Sequence, residues 1–271
     1  MTGQLLLLTL SLKRTRALLL AMGLLLAAFQ VLLVLIAGSI QRTGEFEQLA
    51  SLLPPFVRAL LGPALASVMS FSGIVCLGYF DLAIVAALLA LVIALATLPA
   101  SEVETGFADL ILARPFPRHW IITRAVVLVL IATLLMLALM VGGTWLGLLL
   151  LAPDDARWPP PAMIGSLALN LGLLMFCWGG VAMAFGAACR RSVASATTGL
   201  LALTTLLLDL TGRLWPPADW LAWLSPFRYF IPFDLVMGTP LPVENVLVLW
   251  ALAMSGFTIA YALFSLRDIS R

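Results

Sequence analysis

Long apolar runs constrain the fold of this chain more than any other feature. Several runs are close to or longer than the roughly 18–20 residues of helix that cross the hydrocarbon core of a bilayer. Because that core offers no water to backbone N–H and C=O groups, such runs form helices that satisfy their own backbone. The predicted spans are residues 17–40, 80–100, 120–152, 162–188, 193–213 and 243–266.

The composition agrees with a membrane protein. The chain is 63% hydrophobic and only 10% charged, whereas a soluble domain carries about 25% charged residues. It therefore has too little polar surface to cover a globule in water. We predict an all-α membrane protein, with one transmembrane domain of six helices over residues 1–271.

The basic residues are distributed unevenly across the predicted topology. With the amino terminus in the cytoplasm, ten of the fifteen fall on the cytoplasmic side, and cytoplasmic loops carry an excess of Lys and Arg. The pattern predicts that both termini are cytoplasmic. The cytoplasmic set is Lys13, Arg14, Arg16, Arg114, Arg118, Arg124, Arg190, Arg191, Arg267 and Arg271, and the opposite set is Arg42, Arg58, Arg157, Arg213 and Arg228.

Two further apolar segments are not counted as spans. Residues 63–80 could be mistaken for a seventh span, but adding one would place the termini on opposite sides and remove the charge asymmetry. We predict an outer-face helix or a re-entrant lead-in there, with Asp81 at a helix start. Gln4–Leu12 is predicted to be a short interfacial helix on the inner membrane face. It is not a cleavable signal, because the basic cluster follows the apolar stretch.

A charged island at residues 101–124 separates two of the apolar runs. Ser101 and Glu104 have the spacing of a capping box, in which each side chain accepts a hydrogen bond from the other residue's backbone N–H. Glu102 and Glu104 would also place negative charge at the positive end of a helix dipole. These features predict that a helix begins here.

The far end of this helix is marked by Arg114 and Pro115. A residue before proline is driven away from helical angles, so the predicted helix covers residues 102–113 and is about 18 Å long. Its apolar positions follow helical spacing and form one stripe. The stripe consists of Val103, Phe107, Leu110 and Ile111.

This helix could dock onto a protein or rest on lipid headgroups. Helices that rest on headgroups typically carry Lys and Arg on their polar face, whereas this one carries Glu102, Glu104 and Asp109. The anionic inner leaflet repels such a face. The charges favour docking onto a protein, with Phe107 as the anchor in a groove. A helix that lies on the lipid headgroups remains the alternative.

The island resembles the coupling segment of permease subunits of type-2 ATP-binding-cassette transporters. The matching residues are Glu102, Glu104, Gly106, Leu110, Leu112, Arg114, Pro115 and Arg118. Phe107 departs from the threonine that many members carry after the glycine. The six-span plan, the amino-terminal interfacial helix and the closing Leu266-Arg267-Asp268 are also similar to that family.

The resemblance implies a function and partners. The segment would be a cytoplasmic coupling helix seated in a cleft of a separate ATPase subunit, in a bacterial cytoplasmic membrane, with a second permease copy completing a homodimer. Membrane lipids surround it, and no nucleic-acid partner is expected. The candidate docking residues are Glu102, Glu104, Gly106, Phe107, Leu110, Ile111, Arg114, Pro115 and Arg118.

The chain has no sequence motif for hydrolysing ATP itself. A phosphate-binding loop needs a lysine that reaches the nucleotide, and the only lysine, Lys13, follows no glycine-rich loop. We therefore expect no cofactor in this chain, with ATP and Mg²⁺ bound by the partner ATPase. A membrane-embedded enzyme is disfavoured, because the only histidine, His119, has no nucleophile or metal-ligand spacing around it.

The opposite face carries a segment, residues 215–242, that is dense in proline and aromatic residues. It predicts either an aromatic belt at the membrane boundary or short re-entrant helices that form an outer gate. Asp209 either pairs locally with Arg213 or lines a pathway. The candidate pathway residues are Asn170, Thr204, Thr205 and Asp209.

Other functions remain open at this point. An ion-coupled secondary transporter usually places acidic residues near the midplane of the membrane, where this chain offers at best Asp209. An ATPase-coupled assembly or signalling subunit that moves no cargo is a further alternative. The leading prediction is export of a lipid-like or amphipathic substrate. The glycine pairs at 142–143 and 179–180 fit packing within one subunit or in a dimer.

Overall fold

The computed structural model describes residues 2–43, 54, 64–105, 119–215, 217 and 219–266, and over these residues the secondary structure is helical. Two 3-10 turns, Leu77–Tyr79 and Pro226–Tyr229, accompany the α-helices. The α-helices are α1 Thr2–Thr43, α2 Leu65–Val68, α3 Phe71–Cys76, α4 Leu82–Ala96, α5 Leu98–Glu104, α6 His119–Leu151, α7 Pro161–Ala188, α8 Arg191–Leu214, α9 Asp219–Ala222, α10 Pro232–Val236 and α11 Val243–Leu266.

Six helical segments in the described part of the chain are long and apolar enough to cross a membrane. This confirms the prediction of six helices of that kind. The segments are Ser11–Arg42, Phe71–Glu104, His119–Leu151, Pro161–Ala188, Arg191–Leu214 and Val243–Leu266.

The first helix differs from the prediction. We expected Gln4–Leu12 to form a separate interfacial helix, but α1 is one continuous helix of 42 residues. Its length is about 63 Å, roughly twice the thickness of a bilayer core. The basic cluster at residues 13–16 contains Lys and Arg, which are good helix formers, and no proline or glycine that would break the helix. The Thr15 hydroxyl donates to the Ser11 carbonyl at 3.0 Å, inside the same turn.

The second span is assembled from short helices. Phe71–Tyr79 leads directly into α4, so this stretch continues the second candidate span rather than adding a seventh. Asp81 caps α4 by accepting hydrogen bonds from the N–H groups of Ala83 and Ile84 at 3.0 and 3.1 Å, which confirms a helix start at that residue. Near the other end, the helix is interrupted at Thr97. The next helix, α5, begins at Leu98 and has a proline in its first turn.

Two pairs of parallel helices hold the bundle together through glycines. In the first pair, a Cβ on Gly143 of α6 would lie 2.6 Å from the Ala27 carbonyl oxygen of α1. One turn later, a Cβ on Gly147 would lie 2.9 Å from Val34. Only glycine permits this approach, which is the small-residue packing typical of membrane helices.

The second pair is α7 with α11. A Cβ on Gly180 would lie 2.5 Å from the Ala253 carbonyl oxygen, and a Cβ on Gly256 would lie 2.5 Å from the Gly180 carbonyl carbon. Backbone therefore touches backbone where these helices cross. Packing within one chain explains these glycines and Gly143, whereas Gly142 has no neighbour within 4 Å of its Cβ position among the described atoms.

The bundle has two ends, which we name by a residue at each. At the Glu104 end, α5 stops close to the first turns of α6 and α8. At the Trp215 end, α8 stops, α9 and α10 pack against the bundle, and α11 begins. The core between the ends contains Trp178 of α7, which is 1% exposed.

Candidate functional site

A buried ion pair lies at the Glu104 end. The Glu102 carboxylate of α5 pairs with the Arg124 guanidinium of α6, and the two side chains are 12% and 6% exposed. Breaking a buried pair by removing one partner costs about 3–5 kcal/mol, because the remaining charge is left uncompensated. The two residues are 22 positions apart in the chain. The pair therefore ties the end of the second candidate span to the start of the third.

Glu104 joins the same region to a third helix. Its carboxylate accepts a hydrogen bond from the backbone N–H of Arg191 at 2.5 Å. Arg191 is the first residue of α8, whose preceding residue, Arg190, provides no side-chain cap. Glu104 thus satisfies an N–H at the start of α8 and places negative charge at the positive end of that helix dipole.

The capping box predicted for Ser101 and Glu104 does not form. Ser101 lies inside α5, and its hydroxyl donates to the Leu98 carbonyl at 3.0 Å. The helix begins at Leu98 and ends at Glu104, and Thr105 is its C-cap residue. The prediction was wrong because the helical turn starts earlier, with Pro99 in its first turn. Both glutamates therefore lie at the end of a helix rather than at the beginning of one.

Further polar contacts at this end link four helices. The Thr97 and Ser195 hydroxyls lie 3.2 Å apart and join the start of α5 to α8. The Tyr261 hydroxyl of α11 donates to the Thr123 hydroxyl of α6 at 2.8 Å. Together with the two glutamate contacts, these bonds fix the ends of α5, α6, α8 and α11 relative to one another. We call this set of contacts the junction.

The junction flanks the predicted docking segment. Residues 106–118 lie outside the described part of the structure, and they include most of the candidate docking residues. Those residues are Gly106, Phe107, Leu110, Ile111, Arg114, Pro115 and Arg118. Of the predicted docking set, Glu102 and Glu104 are described. Glu102 is largely buried against Arg124, and Glu104 is exposed at the surface while it contacts α8.

Of the four candidate pathway residues, Asp209 lines a cavity of the described part of the chain, between α4, α8 and α10. Asp209 is 5% exposed and accepts a hydrogen bond from Arg213 Nε at 2.8 Å, which is the local ion pair that was one of the two predictions. The Thr204 hydroxyl bonds the Leu200 carbonyl on an exposed face of α8. The Thr205 hydroxyl bonds carbonyls of its own helix, so neither threonine offers a free hydroxyl proton.

Asn170 contributes instead to an anchor at the Trp215 end. The side-chain amides of Asn170 in α7 and Asn245 in α11 both donate to the Tyr229 carbonyl, at 3.5 and 3.2 Å. The Ser225 hydroxyl donates to the Thr205 carbonyl at 2.8 Å. The turn at residues 225–230 is therefore bonded to α7, α8 and α11, and its Phe227 is buried.

The tryptophans at the same end are exposed. Trp215, Trp220 and Trp223 are 61%, 67% and 63% exposed, as expected of aromatic side chains at a membrane boundary. Arg228 lies 4.9 Å from the Trp223 ring centre and pairs with Asp219 at 2.5 Å. The region combines a packed turn with an exposed aromatic rim.

Sequence reasoning missed Arg124 as a partner of Glu102. A signal was present, because Arg124 lies inside an apolar span, where a charged side chain requires a partner. The bond from Arg191 to Glu104 had no comparable signal, since it uses a backbone N–H that any residue type would offer. The contacts Thr97–Ser195 and Tyr261–Thr123 also depend on helix placement that spacing does not give.

Neither the protein-family models nor the curated proteins contain a match to this chain. The structure itself indicates the class to which the protein belongs. Six candidate membrane-spanning helices, four of them joined by polar contacts at the Glu104 end, fit a multi-pass helical membrane protein.

Proposed function

We propose that this chain is the permease subunit of an ATP-driven exporter of the type-2 ATP-binding-cassette class. A separate ATPase subunit binds ATP and Mg²⁺ and hydrolyses the nucleotide, and this chain, which is not itself an enzyme, carries the substrate across a bacterial cytoplasmic membrane. Two copies of the chain pair in the membrane, with both termini and the Glu104 end in the cytoplasm.

The observation that supports this most is the junction around residues 106–118. Glu102 before this segment is paired with Arg124 after it, so the two flanks cannot separate without exposing a buried charge. Glu104 extends the connection to α8. A partner that pushes or tilts the segment therefore moves α5, α6 and α8 together rather than bending a loose loop.

In this proposal, the junction converts ATPase closure into helix movement. ATP binding draws the ATPase subunits together, and the docked segment follows them. Because α8 and α11 are joined to α5 and α6 at the same end, the motion reaches four of the six candidate spans. The short helices and the anchored turn at the Trp215 end form the gate on the outer side, and the amino-terminal part of α1 lies at the inner membrane face.

A pull-down from membranes in mild detergent tests this proposal. Tagged wild-type chain is compared with Phe107→Asp, which places a charge on the predicted anchor, and with Leu266→Asp. Leu266 is 82% exposed at the Glu104 end, so its substitution controls for an added charge at that end. ATP hydrolysis is measured in each eluate, and the retained subunit is identified by peptide mass spectrometry.

We expect wild type and Leu266→Asp to retain an active ATPase and Phe107→Asp to lose it. If no ATPase accompanies folded wild-type chain, the proposed function is wrong. If Phe107→Asp retains as much ATPase as wild type, the docking segment has been misassigned.

A further inference from the structure

An apolar groove runs along the contact between α4 and α8. Its part near the middle of the bundle has a volume of about 190 Å³, and its part toward the Trp215 end has a volume of about 170 Å³. The two parts adjoin each other and share wall residues from both helices and from the anchored turn. The shared residues are Leu82, Val85, Leu206 and Phe227.

The groove has the length of a lipid tail. It extends along α8 from Gly199 to Arg213, which is about 21 Å of helix. The hydrocarbon of one leaflet is about 15 Å thick, half of the bilayer core. The walls between these ends are apolar, and Leu203 on the rim is 53% exposed, so the groove is open along its side.

One end of the groove carries both signs of charge. Asp209 and Arg213 both line its part toward the Trp215 end. Among the described residues, the Arg213 side chain donates one hydrogen bond, from Nε to Asp209. This side chain is 32% exposed. Two terminal nitrogens of the guanidinium thus remain for an acceptor in the groove. The pair is neutral overall, so it complements a headgroup that carries one positive and one negative group.

The exposed tryptophans near the charged end indicate that it lies at the depth of lipid headgroups. Arg213 is two residues before Trp215, and Trp215 and Trp220 are more than 60% exposed. Exposed tryptophans mark the boundary between hydrocarbon and headgroups. An arginine at that depth reaches phosphates without the cost of burying its charge in hydrocarbon.

We propose that this groove binds one glycerophospholipid with a zwitterionic, primary-ammonium headgroup. One acyl chain lies between α4 and α8 and passes Leu206 and Ala202 toward Ile93. The phosphate accepts hydrogen bonds from Arg213, and the ammonium donates to Asp209. This site goes beyond the proposed function, because it requires no ATPase and no transport.

Photolabelling in vesicles tests the site. The full chain is reconstituted in phosphatidylcholine vesicles that contain increasing fractions of a phosphatidylethanolamine with a photoreactive group in its acyl chain. After illumination, peptide mass spectrometry compares labelling of residues 199–213 with labelling at Leu134 and Leu149 of α6. These leucines are 58% and 71% exposed and report ordinary contact with surrounding lipid.

We expect groove labelling to saturate while labelling of the α6 leucines rises in proportion to the probe. Gly199→Leu should reduce groove labelling several-fold, whereas Gly142→Leu should leave it unchanged. Both glycines have open space at their Cβ positions, so both variants should fold, but only Gly199 lines the groove. Asp209→Asn should remove the preference for phosphatidylethanolamine over phosphatidylcholine carrying the same photoreactive chain.

Three results would overturn the proposal. Groove labelling that rises in proportion to the probe would mean ordinary lipid contact. Equal labelling in wild type and Gly199→Leu would place the lipid elsewhere. An unlabelled groove in chains that cross-link as dimers would mean that a second copy covers it. Because no ATPase is present in the assay, these results are independent of whether the chain is a permease.

Discussion

The Glu102 carboxylate and the Arg124 guanidinium form a buried ion pair that closes the segment between the second and third spans. The pair joins the last turn of α5 to the first turns of α6. Its position ties together the described residues on either side of the predicted docking segment.

Glu102→Ala should destabilise the chain because it leaves Arg124 buried without a partner. The expected loss is about 3–5 kcal/mol, read as a lower melting temperature of the purified protein in detergent. Exchanging the two charges, Glu102→Arg with Arg124→Glu, should recover part of the loss. Glu244→Ala, at an exposed acid in the first turn of α11, is the control and should have little effect. Equal melting of Glu102→Ala and Glu244→Ala would contradict the ion pair.

Glu104→Ala should loosen the first turn of α8. The variant removes the acceptor for the Arg191 N–H, and the loss of a helix cap costs about 1 kcal/mol. Hydrogen exchange at the amides of residues 191–194 should become faster. Glu104→Gln keeps an oxygen acceptor and should show a smaller change. Unaltered exchange in Glu104→Ala would mean that the contact does not stabilise the helix start.

Adjacent glycines of α6 should respond in opposite directions to alanine. Gly143→Ala should lower the melting temperature, because the new Cβ would lie 2.6 Å from the Ala27 carbonyl oxygen; overpacking of this kind costs about 1–3 kcal/mol or more. Gly142→Ala should be neutral or stabilising by up to about 1 kcal/mol, since alanine favours a helix and its Cβ meets open space. A similar loss in both variants would show that α1 does not pack on Gly143.

The side-chain amides of Asn170 and Asn245 both donate to the Tyr229 carbonyl, so we expect either one to compensate for loss of the other. Asn170→Leu or Asn245→Leu alone leaves the Tyr229 carbonyl with one donor, so each should cost little, about 0.6 kcal/mol for a hydrogen bond between membrane helices. The double variant leaves a carbonyl without either donor and should cost more than the sum of the single variants. A double-mutant cycle by thermal unfolding measures this difference, and strict additivity would argue against a shared acceptor.

The sequence alone determined the class of the fold and the approximate limits of its helices. Apolar runs longer than the thickness of the bilayer core form helices, because a helix satisfies its own backbone N–H and C=O groups in lipid. The six long apolar helices of the described residues agree with this requirement. The start of α4 at Asp81 was also readable, because a capping residue acts on its own neighbours. These are properties of single segments.

The tertiary structure decided which residues meet. The pairing of Glu102 with Arg124, the bond from Arg191 to Glu104 and the crossing of Gly180 with Gly256 depend on how separate helices pack. The capping box at Ser101 was a local pattern that an earlier helix start replaced. Spacing along one helix fixes the face on which a residue lies, but not the helix that this face contacts. The junction and the groove were therefore visible only after the helices had been placed together.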